Sequence, residues 1–500
     1  MKSANLKDVE GQEFDVLIVG GGITGSWTAY DAALRGLKVC LVEKGDWSSG
    51  TSQSSSKLIH GGLRYLERFD FKLVKSALHE RKRLVELAPH RVWPLRFTVP
   101  IYKQSRVGKF KFKIGLMLYD LLAGKGQPVA PHKAHDADEF PLLNPEDITK
   151  VFSYGDGQTD DFRFTLEIID GAVTAGAVCA NYSKALSFIE EEGEVCGALV
   201  QQGDEQVLIR AKRIVMATSI WSGLLPGMEK AEKLIRMSKG IHVVLPKLPM
   251  EEAMLLMSPK DGRVFFVIPW YERTLLGTTD TDYQGSPDEV KVEAEDIQYL
   301  LDSVKPFLQE VEWTAEDVIG SFCGLRMLER KEEDHPSAAS REWSMKFYKN
   351  EKVIMPLGGK YTTAREDASL IVDKVLELEG VEVKPSPTLH SPFPWAAEDW
   401  LDFKSEKLAE CFDLGLNEMT AGHLIQRYGT EVEKVIGYIR RDADNATLLD
   451  EALPFIRAEL FMAIEHEGAR YVEDVTRRRV PVDLLSGQAA EIREYIKTIV

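Results

Sequence analysis

The period at which apolar residues recur changes along this chain, and the period assigns the elements. Residues 14–19 (FDVLIV) and 37–42 (LKVCLV) are short runs rich in β-branched residues, which predict strands. Between Ile23 and Arg35 the apolar residues return at helical spacing, and Gly36 ends that helix. FKLVKSALHERKRLVELAPH predicts a helix stopped before Trp93-Pro94, followed by an irregular basic segment. RFTLEIIDGAVTAGAVCANYSKALSFI predicts helix then strand, and VCGALVQQGDEQVLIRAKRIVMAT a hairpin turning near Gly203-Asp204 into a buried strand. IHVVLP, RVFFVIPW, TLLGTTD and KFYKNEKVIMPLGG predict a further group of strands. GGKYTTAREDASLIVDKVLELEG is a glycine turn opening a helix, KPSPTLHSPFPW is a proline-rich linker, and from about residue 400 the pattern is helical throughout. No internal repeat occurs.

The first strand, helix and second strand carry a motif. Gly20, Gly22 and Gly25 fit G-x-G-x-x-G between strand and helix. Gly20 makes the tight turn, Gly22 lets the backbone approach a pyrophosphate, and Gly25 lets helix and strand lie close. The helix N-terminus offers free N–H groups to phosphate. Glu43 follows the second strand, where a carboxylate accepts from ribose hydroxyls and repels a 2′-phosphate; FAD or NAD is expected, not NADP. The next segment, SSGTSQSSSKLIHGGLRYLE, starts like a linker and then alternates apolar and functional residues. Its small hydroxyl residues, Thr51, Ser52, Ser55 and Ser56, can donate to phosphate and ring edges beside Leu58, and Gly61-Gly62 permits close approach to a planar ring. The segment reads as a backbone threaded along a flavin.

Composition narrows the function. A chain of 500 residues should hold two or three domains. A net charge of −17 argues against nucleic-acid partners. Five cysteines without a CxxC pair suit a reducing compartment and supply neither a disulfide framework nor a metal site. The first twelve residues are polar and mixed in charge, so no signal peptide is expected, and no apolar run approaches the roughly 20 residues of a spanning helix.

A flavin that oxidises a bound substrate takes up a hydride equivalent, and the protein must supply a base for a released proton and anchors for the rest of the substrate. Arg64, Arg326 and Arg341 are candidate phosphate anchors, since each follows apolar, small or glycine-rich sequence; Arg477, Arg478 and Arg479 read as a solvated run. His60, in KLIHGG, and His242, in SKGIHVV, are both candidate bases, and the sequence does not choose between them. Gly358-Gly359 and Lys360 open a helix, with Thr362 or Thr363 as cap, whose N-terminus suits the negative charge of a reduced flavin.

GGGITG, TSQSSSKLIHGGLRYLE, SKGIHVVLP, RVFFVIPW, LLGTTDTDY, GLRML and PLGGKYTTAR, in that order, resemble the FAD-dependent glycerol-3-phosphate dehydrogenases, D-amino-acid-oxidase-like flavoproteins. The chain departs from that family's pattern at MATSIW (Met216, Ser219, Ile220) and at Met327. The resemblance implies an α/β fold: a Rossmann-like FAD-binding domain (1–65, 151–239 and 356–385), an inserted antiparallel-sheet substrate or cap domain (66–150 and 240–355) and an all-helical C-terminal domain (396–500). It implies oxidation of sn-glycerol 3-phosphate to dihydroxyacetone phosphate with electrons passed to membrane quinone. Arg64, Tyr65, Arg326, Arg341, Lys360 and Thr362 match the family's substrate positions. The alternatives are an oxidase that makes peroxide and a non-catalytic flavin-binding module. Five basic residues from Lys103 to Lys113, with no acid among them, precede an apolar run; with the resemblance, they predict a cytoplasmic protein peripheral on the inner face of an anionic membrane. A homodimer is compatible with this reading.

Overall fold

In the computed structural model, which describes residues 3–330 and 343–499, two sheets carry the chain. The first is built around the strand Glu13–Val19, which pairs in parallel with Val39–Val42 on one side and Glu205–Met216 on the other. Val178–Ala180 and Val353–Leu357 extend it in parallel at either flank. The central strands are apolar almost throughout because both faces are covered. On one face, Ile23–Leu34 lies between Asp161–Thr174 and Ala364–Leu378, sharing a core of Trp27, Phe164, Ile168, Ile371 and Val375.

The second sheet is mostly antiparallel and has Ile235–Pro246 as a long strand paired with Arg273–Gly277 and Gly320–Glu329. Val92–Tyr102 and Ile148–Thr159 form its other half, and the two-residue strand Leu58–Ile59 adds to the edge at Gln158 and Gly157. The short strand brings the serine-rich segment out of the first sheet's territory and into the second, so the segment bridges the two.

Four elements differ from the expectation. The segment expected to be irregular after residue 90 contains an 11-residue strand, Val92–Tyr102, and a 15-residue helix, Lys109–Ala123. Its prolines, Pro94 and Pro100, argue against an inner strand. They are tolerated because the second neighbour pairs only at Phe97 and Thr98, leaving that edge open at both prolines. Ile148–Thr159, which crosses the expected boundary at 151, pairs in the second sheet, and Ser344–Tyr348, expected with the cap strands, pairs in the first.

Beyond the linker, Trp400–Asp413, Glu418–Tyr428, Val432–Arg441 and Ala458–Glu465 are helical and enclose a core of Leu424, Tyr428, Ile436 and Met462. Phe455, Val475, Val480 and Leu485 leave that core and pack against the second sheet. Among the described residues, no helix is long and apolar enough to cross a membrane.

Candidate active site

The first strand delivers the chain to Gly20 at φ +112°, and the helix starts at Ile23 with Gly22 as N-cap. A Cβ on Gly25 would overlap the Gly20 carbonyl, and one on Gly22 would lie 3.0 Å from Ser52 Oγ. That hydroxyl accepts from the Ile23 N–H at 2.9 Å, so Ser52 caps the helix across 29 residues of sequence. The Glu43 carboxylate accepts from Gly21 N–H at 2.7 Å and from Gly45 N–H at 2.9 Å, tying two turns together. Burial raises its pKa and these bonds oppose the rise. A carboxylate has roughly four acceptor positions, so capacity remains for ribose hydroxyls.

A cavity of about 720 Å³ is lined by Gly20, Gly22 and Glu43 together with His60, Arg326 and Lys360. The serine-rich segment forms one wall, and the structure assigns its hydroxyls individually. Thr51 Oγ1 donates to the Leu325 carbonyl at 2.7 Å. Ser55 donates through N (3.0 Å) and Oγ (2.7 Å) to Asp161, whose carboxylate also holds the buried Lys57 ammonium at 2.6 Å. Ser56 Oγ lies 2.9 Å from His242 Nε2. Thr51 and Ser55, read as donors to a cofactor, thus spend hydroxyl protons on the protein. Asp161 stood in no motif, and Lys57, though inside the serine-rich motif, was given no role by it.

The candidate substrate residues divide. His60 is half-buried, with its N–H donating to Thr362 Oγ1 at 3.1 Å and its ring edge-on to Phe266. The next N–H, of Gly61, donates to Tyr119 Oη at 2.9 Å, and that phenol is anchored on Asp156. Tyr65 is buried, and the Lys360 ammonium lies 3.7 Å from its ring centroid. Arg326 Nη2 donates to Thr278 Oγ1 at 2.9 Å. Arg64 is exposed, and its guanidinium donates through Nη2 to Oη of the cavity-lining Tyr65 at 3.3 Å. Arg341 falls outside the described residues. Gly358 and Gly359 turn at φ +80° and +97° into the helix Ala364–Leu378. Thr363 holds the N-cap position, but its hydroxyl donates to Asp367 at 3.1 Å instead of capping a first-turn N–H. Burial pushes the Asp367 carboxyl well above its ordinary range.

Residues 15–360 match the FAD dependent oxidoreductase family, and residues 390–499 match the C-terminal domain of alpha-glycerophosphate oxidase. The chain is 34% identical over 491 residues to the aerobic glycerol-3-phosphate dehydrogenase of Bacillus subtilis (strain 168), covering 95% of this chain and 88% of that one. The chain belongs to the FAD-dependent glycerol-3-phosphate dehydrogenase family. The human mitochondrial glycerol-3-phosphate dehydrogenase is 33% identical over 506 residues, covering 96% of this chain and 69% of its own length. Among solved structures, the Bacillus halodurans glycerol-3-phosphate dehydrogenase complexed with FAD superposes with a TM-score of 0.79 at 28% identity, covering 99% of this chain and 92% of that one. The Mycoplasma pneumoniae L-alpha-glycerophosphate oxidase with FAD bound shares the fold at a TM-score of 0.58 and 16% identity, covering 75% of this chain and 97% of that one.

The cavity suits the cofactor of this family. Bare backbone at Gly22 and tight packing at Gly25 leave space beside the helix N-terminus that a side chain would reduce.

One reading of the sequence is corrected. Arg478 and Arg479 are not solvated: both are buried and both bind Asp46, with Arg479 Nη2 2.8 Å from Asp46 Oδ1. Arg477 lies over the Phe322 ring at 5.5 Å, and its pKa is pushed down to about 10 by burial and then by Arg478. The tail folds back onto the loop that follows Glu43, a contact across more than 400 residues that local charge could not reveal.

Proposed function

We propose that this chain oxidises sn-glycerol 3-phosphate to dihydroxyacetone phosphate and passes the electrons to a membrane quinone. The observation that carries the reading is a single cavity whose lining includes the glycine turn, the half-buried His60 and the cationic side chains Arg326 and Lys360. The chemistry supplied by bound FAD is acceptance of a hydride equivalent from the alcohol carbon. Gly20, Gly22, Gly25, Glu43, Ser52, Gly358 and Lys360 would hold it. Of the two candidate bases, His60 has the better access, because His242 is 1% exposed with Nε2 already paired to Ser56. His60 takes the hydroxyl proton, Arg326 and Lys360 bind the anionic substrate, and Tyr65 fixes the lysine from beneath. Anaerobic addition of glycerol 3-phosphate should bleach the flavin within turnover time, whereas glycerol should not. Equal bleaching by both, or by neither, would remove the substrate assignment.

The match of residues 390–499 to an oxidase's C-terminal domain favours oxygen as a second acceptor to examine. Peroxide formed stoichiometrically in aerobic turnover would identify it.

The inner membrane face is the proposed location. Helix Lys109–Ala123 exposes Phe110 (76%), Ile114 (66%) and Leu121 (75%) beside Lys109, Lys111 and Lys113. An apolar row flanked by lysines on an acidic protein suits an anionic bilayer. Lys103 and Arg106 contribute less, since they pair closely with Asp147 and Glu67, while Lys111 lies 3.9 Å from Glu67. Replacing the three helix lysines should cut pelleting with anionic vesicles while dye-linked activity persists.

A further inference from the structure

The pairing of His242 with Ser56 has chemistry beyond the base assignment, and the inference drawn from it rests on the function proposed above. His242 stacks on Phe322, with centroids 4.9 Å apart and planes 17° from parallel. Gly277 lies opposite it across the sheet, and a Cβ there would overlap the imidazole, so the ring is held in one place. Nε2 is 2.9 Å from Ser56 Oγ, and Nδ1 has no hydrogen-bond partner among the described residues. Both His242 and Ser56 line the cavity.

The two neutral tautomers differ in what they strand. A proton on Nδ1 would bury an N–H donor with no acceptor, which native interiors rarely contain. A proton on Nε2 is accepted by Ser56 Oγ, and only a lone pair is left unmatched. A charged ring is opposed by burial, then by the Arg326 guanidinium and the Lys57 ammonium; the latter lies 5.0 Å from the centroid of the Phe322 ring on which His242 stacks. A serine hydroxyl has one proton and two acceptor positions. With Oγ accepting from Nε2, the Ser56 proton is free to point elsewhere, and the open side is the cavity.

We propose that His242 is a fixed Nε2–H donor that turns the Ser56 hydroxyl into a hydrogen-bond donor toward an acceptor atom held in the cavity. Ser56 is then the group that touches the ligand, and His242 is a positioning residue. The acceptor is an electron-rich oxygen or nitrogen, on either the flavin ring or the reacting end of the substrate.

The test uses FAD-loaded enzyme labelled with 15N-histidine. The His242 signal, assigned by its loss in His242→Gln, should show Nε2 protonated and Nδ1 bare, without titration from about pH 5.5 to 8. His242→Gln keeps an amide N–H at similar reach and should lower kcat/KM by less than about tenfold, whereas His242→Leu and Ser56→Ala should each lose about 10²-fold. A shift of the flavin midpoint potential in Ser56→Ala without substrate places the acceptor on the flavin; an unshifted potential with lowered kcat places it on the substrate. A ring protonated at Nδ1, a ring that titrates, a glutamine variant as damaged as the leucine variant, or a silent Ser56→Ala each overturns the proposal. If His242→Gln does not hold FAD, Ser56→Ala decides alone. Failure of glycerol 3-phosphate to bleach the wild-type flavin would sink the functional reading and leave the tautomer result standing.

Discussion

Replacing Arg326 with methionine removes a cationic fork while keeping chain length and apolar volume. The fork is held before any substrate arrives. Nη2 donates to Thr278 Oγ1 at 2.9 Å, Nη1 donates to the Thr279 carbonyl at 3.3 Å, and Nη1 lies 3.5 Å from Asp280 Oδ1. The side chain crosses Gly240, where any Cβ would strike the guanidinium. A guanidinium carries five N–H donors, so donors remain for a ligand after these contacts are made. One charge-assisted hydrogen bond is worth roughly 1.5–3 kcal/mol, and about 1.4 kcal/mol is a decade in rate, which gives about 10- to 10²-fold for one bond. Two bonds, or an anion left without its partner, carry the loss to about 10³-fold. We expect Arg326→Met to lower kcat/KM by about 10²- to 10³-fold at near-normal flavin content. Arg326→Lys should recover only part, because an ammonium cannot reproduce the planar fork. The assay is steady-state kinetics with a dye acceptor beside the visible flavin spectrum. Near-normal kcat/KM in Arg326→Met would show that the Thr278, Thr279 and Asp280 contacts are the residue's whole purpose.

Gly22→Val should place a branched side chain against Ser52 and into the pyrophosphate space; purified protein should lose most of its yellow absorbance, and full retention would contradict the cofactor assignment. Replacing Arg478 and Arg479 together with methionine should strand the buried Asp46 carboxylate, costing about 3–5 kcal/mol by denaturant titration and loosening FAD, since Asp46 follows Glu43 by three residues, whereas Arg479→Met alone should cost less because Arg478 still pairs with Asp46. His90, His242 and His423 all have pKa values lowered by burial, so the unfolded chain takes up protons below about pH 6.5 that the native chain resists. Stability should be full above that pH and fall as pH drops through about 6 to 5, by up to roughly 1.4 kcal/mol per pH unit for each histidine. His90 and His423 recover part of this through Glu167 and Glu459, and a stability flat from pH 7 to 5 would refute the argument.

Much of the first sheet was legible because its signals are local. Strand Glu13–Val19, helix Ile23–Leu34 and strand Val39–Val42 follow one another within thirty residues, and the spacing of the turn's glycines is itself local, although the contacts that require Gly20 and Gly22 come from Ala217 and Ser52. The strand Val92–Tyr102 was not legible, since two prolines argue against it and only the shortness of its neighbour's overlap permits them. The helix Lys109–Ala123 announced itself as a basic apolar run, and its exposed face could be assigned only once Leu116, Tyr119 and Ala123 were seen to face inward.

The sequence by itself determined the glycine turn, the residue types able to hold an anion and transfer a proton, and the family resemblance. Those depend on side-chain chemistry and spacing within single segments. The tertiary structure decided which residues share the cavity: it brought His60, Tyr65, Arg326 and Lys360 to its wall, set the Arg64 guanidinium against the Tyr65 hydroxyl, and enlisted Ser52 as a helix cap. It also turned two arginines of a run that read as solvated, Arg478 and Arg479, into a clamp on Asp46. Burial and partner choice are properties of the whole packed chain, because a charge enters the interior only where a distant segment brings its counter-charge to meet it.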